Sequence, residues 1–212
     1  MSPNRKTALV AGICYLLTFV SIPTIALYGT VHAAHFNGPA TPVLIGGVLE
    51  IIVALAGMGT AIALYPVLKK QHEGLALGFV ASRTLEAATI FAGVAFLLTA
   101  VSLRQTGMLV VLYDRMFLIG QSLIPAINAV LLGSLLFQSR LVPRVLPMLG
   151  FVGATLLIIS WAATLFGLIG RVSPVAGIMA LPIAAWEFSL GLYLVIKGFK
   201  NINYEKNINP SA

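Results

Sequence analysis

Along this chain the polar positions gather into short clusters that separate long apolar runs. Six such runs can be drawn, at Thr7–Tyr28, Pro42–Tyr65, Leu75–Ser102, Met108–Phe137, Pro147–Leu168 and Pro174–Ile196. Each holds about 20 residues or more, enough at about 1.5 Å per residue to cross the roughly 30 Å of bilayer hydrocarbon. The pattern predicts an all-α polytopic membrane protein with six transmembrane helices in one bundle. The connections are too short for a soluble domain, so residues 1–200 read as one domain and 201–212 as a polar, flexible tail. Prolines at Pro42, Pro147 and Pro174 mark helix starts, where a missing N–H costs little. Pro23, Pro125 and Pro182 fall within runs and are expected to kink them.

Composition agrees with this pattern. The chain of 212 residues is 59% hydrophobic and 9% charged, against about 25% charged in a soluble domain. Its net charge of +7 does not indicate nucleic-acid binding, because the basic residues sit in short loops and not in a stripe with aromatics. They act as topology signals. Arg5, Lys6, Lys69, Lys70, Arg140, Arg144, Lys197, Lys200 and Lys206 fall on one side, and Arg104 and Arg171 on the other. The positive-inside rule places both termini in the cytoplasm of a bacterial inner membrane. The first run follows Arg5 and Lys6 as a signal peptide would, and Val31-His32-Ala33 is a passable cleavage site. Its apolar core exceeds the roughly 7–15 residues of a signal core and further spans follow, so an uncleaved first helix is expected.

The candidate chemistry lies inside the spans. Arg83 and Glu86 are one helical turn apart near the middle of the third run, so they share a face and can pair. A charge at the bilayer centre costs about 2.5–17 kcal/mol, so such a pair must face protein or water. The spans hold four acids, Glu50, Glu86, Asp114 and Glu187, against two arginines, Arg83 and Arg115. Surplus buried carboxylates take up a proton, a hydrogen bond or a cation. Small residues flank Glu50 (Gly46, Gly47, Ala54, Gly57) and Glu187 (Ala180, Ala184, Gly191) on their own helical faces. That pattern aims both acids into helix contacts, not toward lipid. On the Glu86 face stand Ser82, Thr89 and Gly93, and the fourth run carries a secondary stripe of Asp114, Gln121 and Asn128. By depth, Glu86 and Glu187 fall near the midplane, Glu50 nearer the outer face, and Asp114 and Arg115 nearer still, where Arg115 can snorkel to the interface. Trp161 and Trp186 read as packing or interface aromatics, with Trp186 also placed to line a cavity beside Glu187.

Other chemistries find no support. The single cysteine, Cys14, excludes an intrachain disulfide and reads as a packing residue. His32 and His35 lie three apart in the Gly29–Thr41 loop, with no third ligand near, so the loop reads as polar and no metal is expected. No cofactor signature is present: there is no HExxH, Walker A, GxSxG or GxGxxG pattern. No lysine sits at mid-membrane for a Schiff base, and Asp114 is the sole aspartate, which argues against aspartyl intramembrane proteolysis. Glu86 and Glu187 occupy comparable depths in the third and sixth runs, a faint sign of an inverted three-plus-three repeat.

Several stretches together carry a family resemblance. They are Asn4-Arg5-Lys6-Thr7-Ala8, Tyr65-Pro66-Val67-Leu68-Lys69-Lys70, Arg83-Thr84-Leu85-Glu86, Pro143-Arg144, Trp186-Glu187 and Lys197-Gly198-Phe199. With them the chain resembles a prokaryotic family of polytopic membrane proteins of about its own length, catalogued as a domain of unknown function. The resemblance covers nearly the whole chain and implies an integral membrane protein, with no substrate and no catalytic residues.

Two functions are expected from the residues themselves. One is a small proton-coupled transporter or ligand-binding membrane protein, with an interior site of Arg83, Glu86, Glu187 and Glu50. The other is a non-catalytic membrane subunit or sensor that acts through helix contacts, its buried charges structural. An intramembrane enzyme acting on lipid is the weaker third, since no nucleophile–base pair is legible. The expected partners are the bilayer, a small molecule or ion, and a membrane protein or second copy on the glycine faces.

Overall fold

The computed structural model describes residues 2–29, 31, 38–105 and 107–200. The His32/His35 loop, most of the Val31-His32-Ala33 site and the 201–212 tail lie outside them. The chain is all helical: α1 (Pro3–Leu17), α2 (Thr24–Leu27), α3 (Thr41–Leu68), α4 (Glu73–Leu103), α5 (Gly107–Phe117), α6 (Ile124–Ser139), α7 (Val145–Leu165) and α8 (Pro174–Ile196). These combine into six apolar spans, Pro3–Leu27, Thr41–Leu68, Glu73–Leu103, Gly107–Ser139, Val145–Leu165 and Pro174–Ile196. Each run in the sequence thus becomes one crossing, with ends shifted by a few residues. Helices suit this solvent because every backbone polar group finds its partner within the segment.

Prolines interrupt the regular α-helix in two spans. Before Pro23 the first span tightens into a 3₁₀ turn at Thr18–Ser21, then resumes as α2. Pro23 offers no N–H to the preceding turn. The Phe19 carbonyl, which that N–H would have served, accepts from the Ile22 N–H at 3.2 Å, while the hydroxyls of Thr18 and Thr24 donate to the carbonyls of Tyr15 and Ser21, each at 2.7 Å. Ahead of Pro125 the fourth span widens into a π-helical turn, Leu118–Leu123, the kind of bulge often found at functional positions. Around Pro182 the last span stays α-helical from Pro174 to Ile196. Pro147 sits just inside α7 and not at its first residue. Ser173 caps α8 by accepting from the Ala176 N–H at 3.2 Å, with Pro174 as the first helical residue.

The spans pack in chain order. α1 lies against α3, α3 against α4, α4 against α5 and α6, α6 against α7, and α7 against α8, which closes back on α1. The result is a closed ring of spans. Ile45, Val48, Ile52 and Leu55 on α3 and Met148, Val152 and Ile159 on α7 point outward. Glu50, Arg83, Glu86 and Asn128 are buried within. This inside-out polarity is what a lipid-facing perimeter requires.

Glycines set how closely the ring closes. A Cβ on Gly12 of α1 would stand 2.7 Å from the Gly191 carbonyl of α8, and one on Gly153 of α7 would stand 2.6 Å from the Ile183 nitrogen. Two backbones therefore nearly touch at each crossing, as small residues permit. At the end of the bundle that carries the N-terminus, Arg5 donates to the carbonyls of Leu194 at 2.8 Å and Ile196 at 3.3 Å, and also to Val195. It thereby caps α8 and ties the first span to the last. Lys69, Lys70, Arg140 and Arg144 stand at this basic end, opposite the far end that carries Arg104 and Arg171.

Candidate functional site

The interior polar residues form two layers. The deeper one is built on Arg83 of α4. Its guanidinium donates to Glu86 at 3.0 Å and to Glu187 of α8 at 2.8 Å. It also reaches the Tyr15 hydroxyl of α1 at 3.4 Å and lies over the rings of Tyr15 and Phe79. Asn128 of α6 donates to the same Glu86 oxygen at 2.7 Å. Glu86 and Glu187 each lie about 20 Å along their helices from Glu73 and Pro174, which start at opposite ends of the bundle. The layer is therefore central. It crosses the ring from α4 to α8, two elements that are not neighbours around it.

One guanidinium here faces two carboxylates, so a negative charge is left over unless a proton or cation joins them. The Arg83 side chain is 3% exposed, Glu86 10% and Glu187 16%, which makes Glu187 the accessible member. Arg83 Nε and Asn128 Oδ1 are buried without a hydrogen-bond partner among the described residues. Trp186 is a packing residue among the described contacts. It is fully buried, edge-on to Tyr15 at 6.5 Å and laid against Gly150.

Glu50 does not join this cluster. Gly57, two turns or about 10 Å further along α3, is the residue that faces Arg83. Glu50 instead forms the second layer, nearer the far end. It is 1% exposed, and its Oε1 accepts from the Tyr113 hydroxyl of α5 at 2.8 Å, again across the ring. Gln121 lies beside the same carboxyl, and Oε2 has no hydrogen-bond partner among the described residues. Gly46 is what lets Tyr28 pack here, since a Cβ on it would stand 2.3 Å from that ring.

Above Glu50 a cavity of about 720 Å³ opens at the far end, between the short helix α2, the π turn, α7 and the start of α8. Tyr113 and Gln121, the two side chains at Glu50, are part of its wall. Ser122 joins Gln121 from the π turn, and Ser160 and Thr164 face them from α7. Arg171 stands at the rim, bound to Asp114 at 2.9 Å and stacked over Phe117 at 4.6 Å. The stripe of Asp114, Gln121 and Asn128 therefore meets Arg171, Glu50 and Glu86 at successive depths. Arg115, one residue on from Asp114, is exposed.

Sequence reasoning missed Tyr15, Tyr28, Tyr113, Trp161 and Arg171. Nothing in a tyrosine's neighbours says that its hydroxyl will meet an acid on another helix. Arg171 carried a usable signal, being a lone cation in a far-end loop, but its partner lies on a different span.

Six apolar helices around buried charge define a multi-pass helical membrane protein. The chain belongs to the family described as Domain of unknown function (DUF4386), matched over residues 10–198. Comparison with curated proteins and with solved structures returned no match.

Proposed function

We propose that the chain is a small proton-coupled transporter or ligand-binding membrane protein of the bacterial inner membrane. The observation that carries this reading is the far-end cavity of about 720 Å³, separated from the buried Glu50 by single side chains. A volume of this size suits a small organic molecule. Toward the basic end the interior is filled by Tyr15, Leu64, Leu68, Phe79 and Leu194. A far-end opening above a packed interior is what one state of an alternating-access protein looks like. The concentration of basic residues at the other end supports a cytoplasmic placement of that end and both termini. The cavity then faces outward. Glu50 and the surplus carboxylate at Arg83 are the groups able to carry a coupled proton, with Glu187 the more accessible of the deep pair.

The test is pH-gradient-driven uptake into proteoliposomes across a panel of small organic substrates. Wild type is expected to accumulate at least one, and Glu50→Gln and Glu187→Gln to lose dependence on the gradient. Wild-type flux equal to that of protein-free liposomes across the panel refutes transport. Gradient dependence that survives in both variants refutes the assignment of the proton.

One observation favours a second reading, a non-transporting subunit or sensor. Arg83, Glu86, Glu187 and Asn128 already bond one another, as a purely structural staple would. The absence of both flux and binding for every panel member, in a protein that Arg83→Met destabilises, would select it.

A further inference from the structure

We infer that the far-end cavity takes an uncharged amphipathic molecule, an apolar ring or chain bearing a hydroxyl or amide. This rests on the reading of the cavity as a ligand site and adds the class of ligand. Arg171 is the charged residue of its described lining, and it is already bound to Asp114 and stacked on Phe117 and Tyr113. An anion would have to compete with Asp114 for it. A cation would meet Arg171 first. Either ion would also lose its hydration to a wall that is mostly apolar, with Ile25, Phe117, Leu157 and Ala180 among its members. An uncharged polar group meets no such penalty. Gln121, Ser122, Ser160 and Thr164 supply both donors and acceptors from two facing elements. The rim residues Arg171 and Ser173 belong to the loop before α8, so entry is from the far-end surface.

The test uses three probes of one shape: naphthylmethanol, naphthoate and naphthylmethylammonium. Each is titrated calorimetrically into the full chain in nanodiscs, with empty nanodiscs subtracted. Naphthylmethanol is expected to bind at least about tenfold tighter than either ion. Gly177→Phe and Ala180→Phe fill the cavity from α8, and each is expected to weaken it by at least about tenfold. A new Cβ on Gly177 has no atom within 4 Å, and thermal unfolding checks that each variant keeps its fold. Tighter binding of either ion overturns the ligand class and leaves the cavity a ligand site. Binding no greater than to empty nanodiscs, or unaltered in both folded variants, overturns this inference together with the ligand-binding reading. Monoolein titrated into the disc separates two sources of such a molecule: displacement of the probe assigns it to the bilayer, and retention assigns it to the aqueous phase.

Discussion

Replacing Arg83 with Met tests the deep layer most directly. The substitution keeps length and apolar stem but removes the cation that two carboxylates share. With the Arg83 side chain 3% exposed, water cannot take its place. Glu86 keeps its bond from Asn128, while Glu187 loses its described ionic partner. Breaking a buried pair by deleting one partner costs about 3–5 kcal/mol, because a charge is left buried without compensation. For a chain of this size each kcal/mol moves the unfolding midpoint by about 2–4 °C, so a loss of about 6–20 °C is expected. The assay is thermal unfolding in detergent, followed by circular dichroism. The triple variant Arg83→Met, Glu86→Gln, Glu187→Gln removes the charges together and is expected to recover most of the loss. The reasoning is refuted if Arg83→Met shifts the midpoint by less than about 2 °C, or if the triple variant is no more stable than the single.

Other outcomes follow from the same contacts. Gly153→Ala puts a Cβ 2.6 Å from a backbone nitrogen that cannot swing aside, so it is expected to destabilise by about 1–3 kcal/mol; thermal unfolding beside Gly107→Ala, which meets nothing within 4 Å, is the check. Tyr113→Phe removes the donor to Glu50 Oε1 and is expected to cost about 1–3 kcal/mol; adding Glu50→Leu should return part of it, and no recovery would contradict the role given to that bond. Arg5→Ala frees the carbonyls of Leu194, Val195 and Ile196; amide exchange near the end of α8 should quicken, with exchange near Glu187 unchanged.

The number of crossings, their approximate ends and the need to shelter Arg83, Glu86, Glu187 and Glu50 follow from the sequence. Each is a local property: apolar length sets the span, and the cost of an ion in hydrocarbon forbids a lipid-facing position. The Arg83–Glu86 bond was legible for the same reason, because helical spacing alone brings the pair together. The tertiary structure decided everything that joins separate helices. It gave Arg83 to Glu187 and Tyr15, sent Glu50 to Tyr113, and opened a cavity where α2, the π turn, α7 and α8 meet. Which side chains meet across a ring depends on the rotation and tilt of each helix. Those are fixed by close approaches such as Gly12 with Gly191, by the hydroxyls that accommodate the Pro23 break and by the widened turn before Pro125, summed over the whole bundle. No single stretch of chain contains that sum.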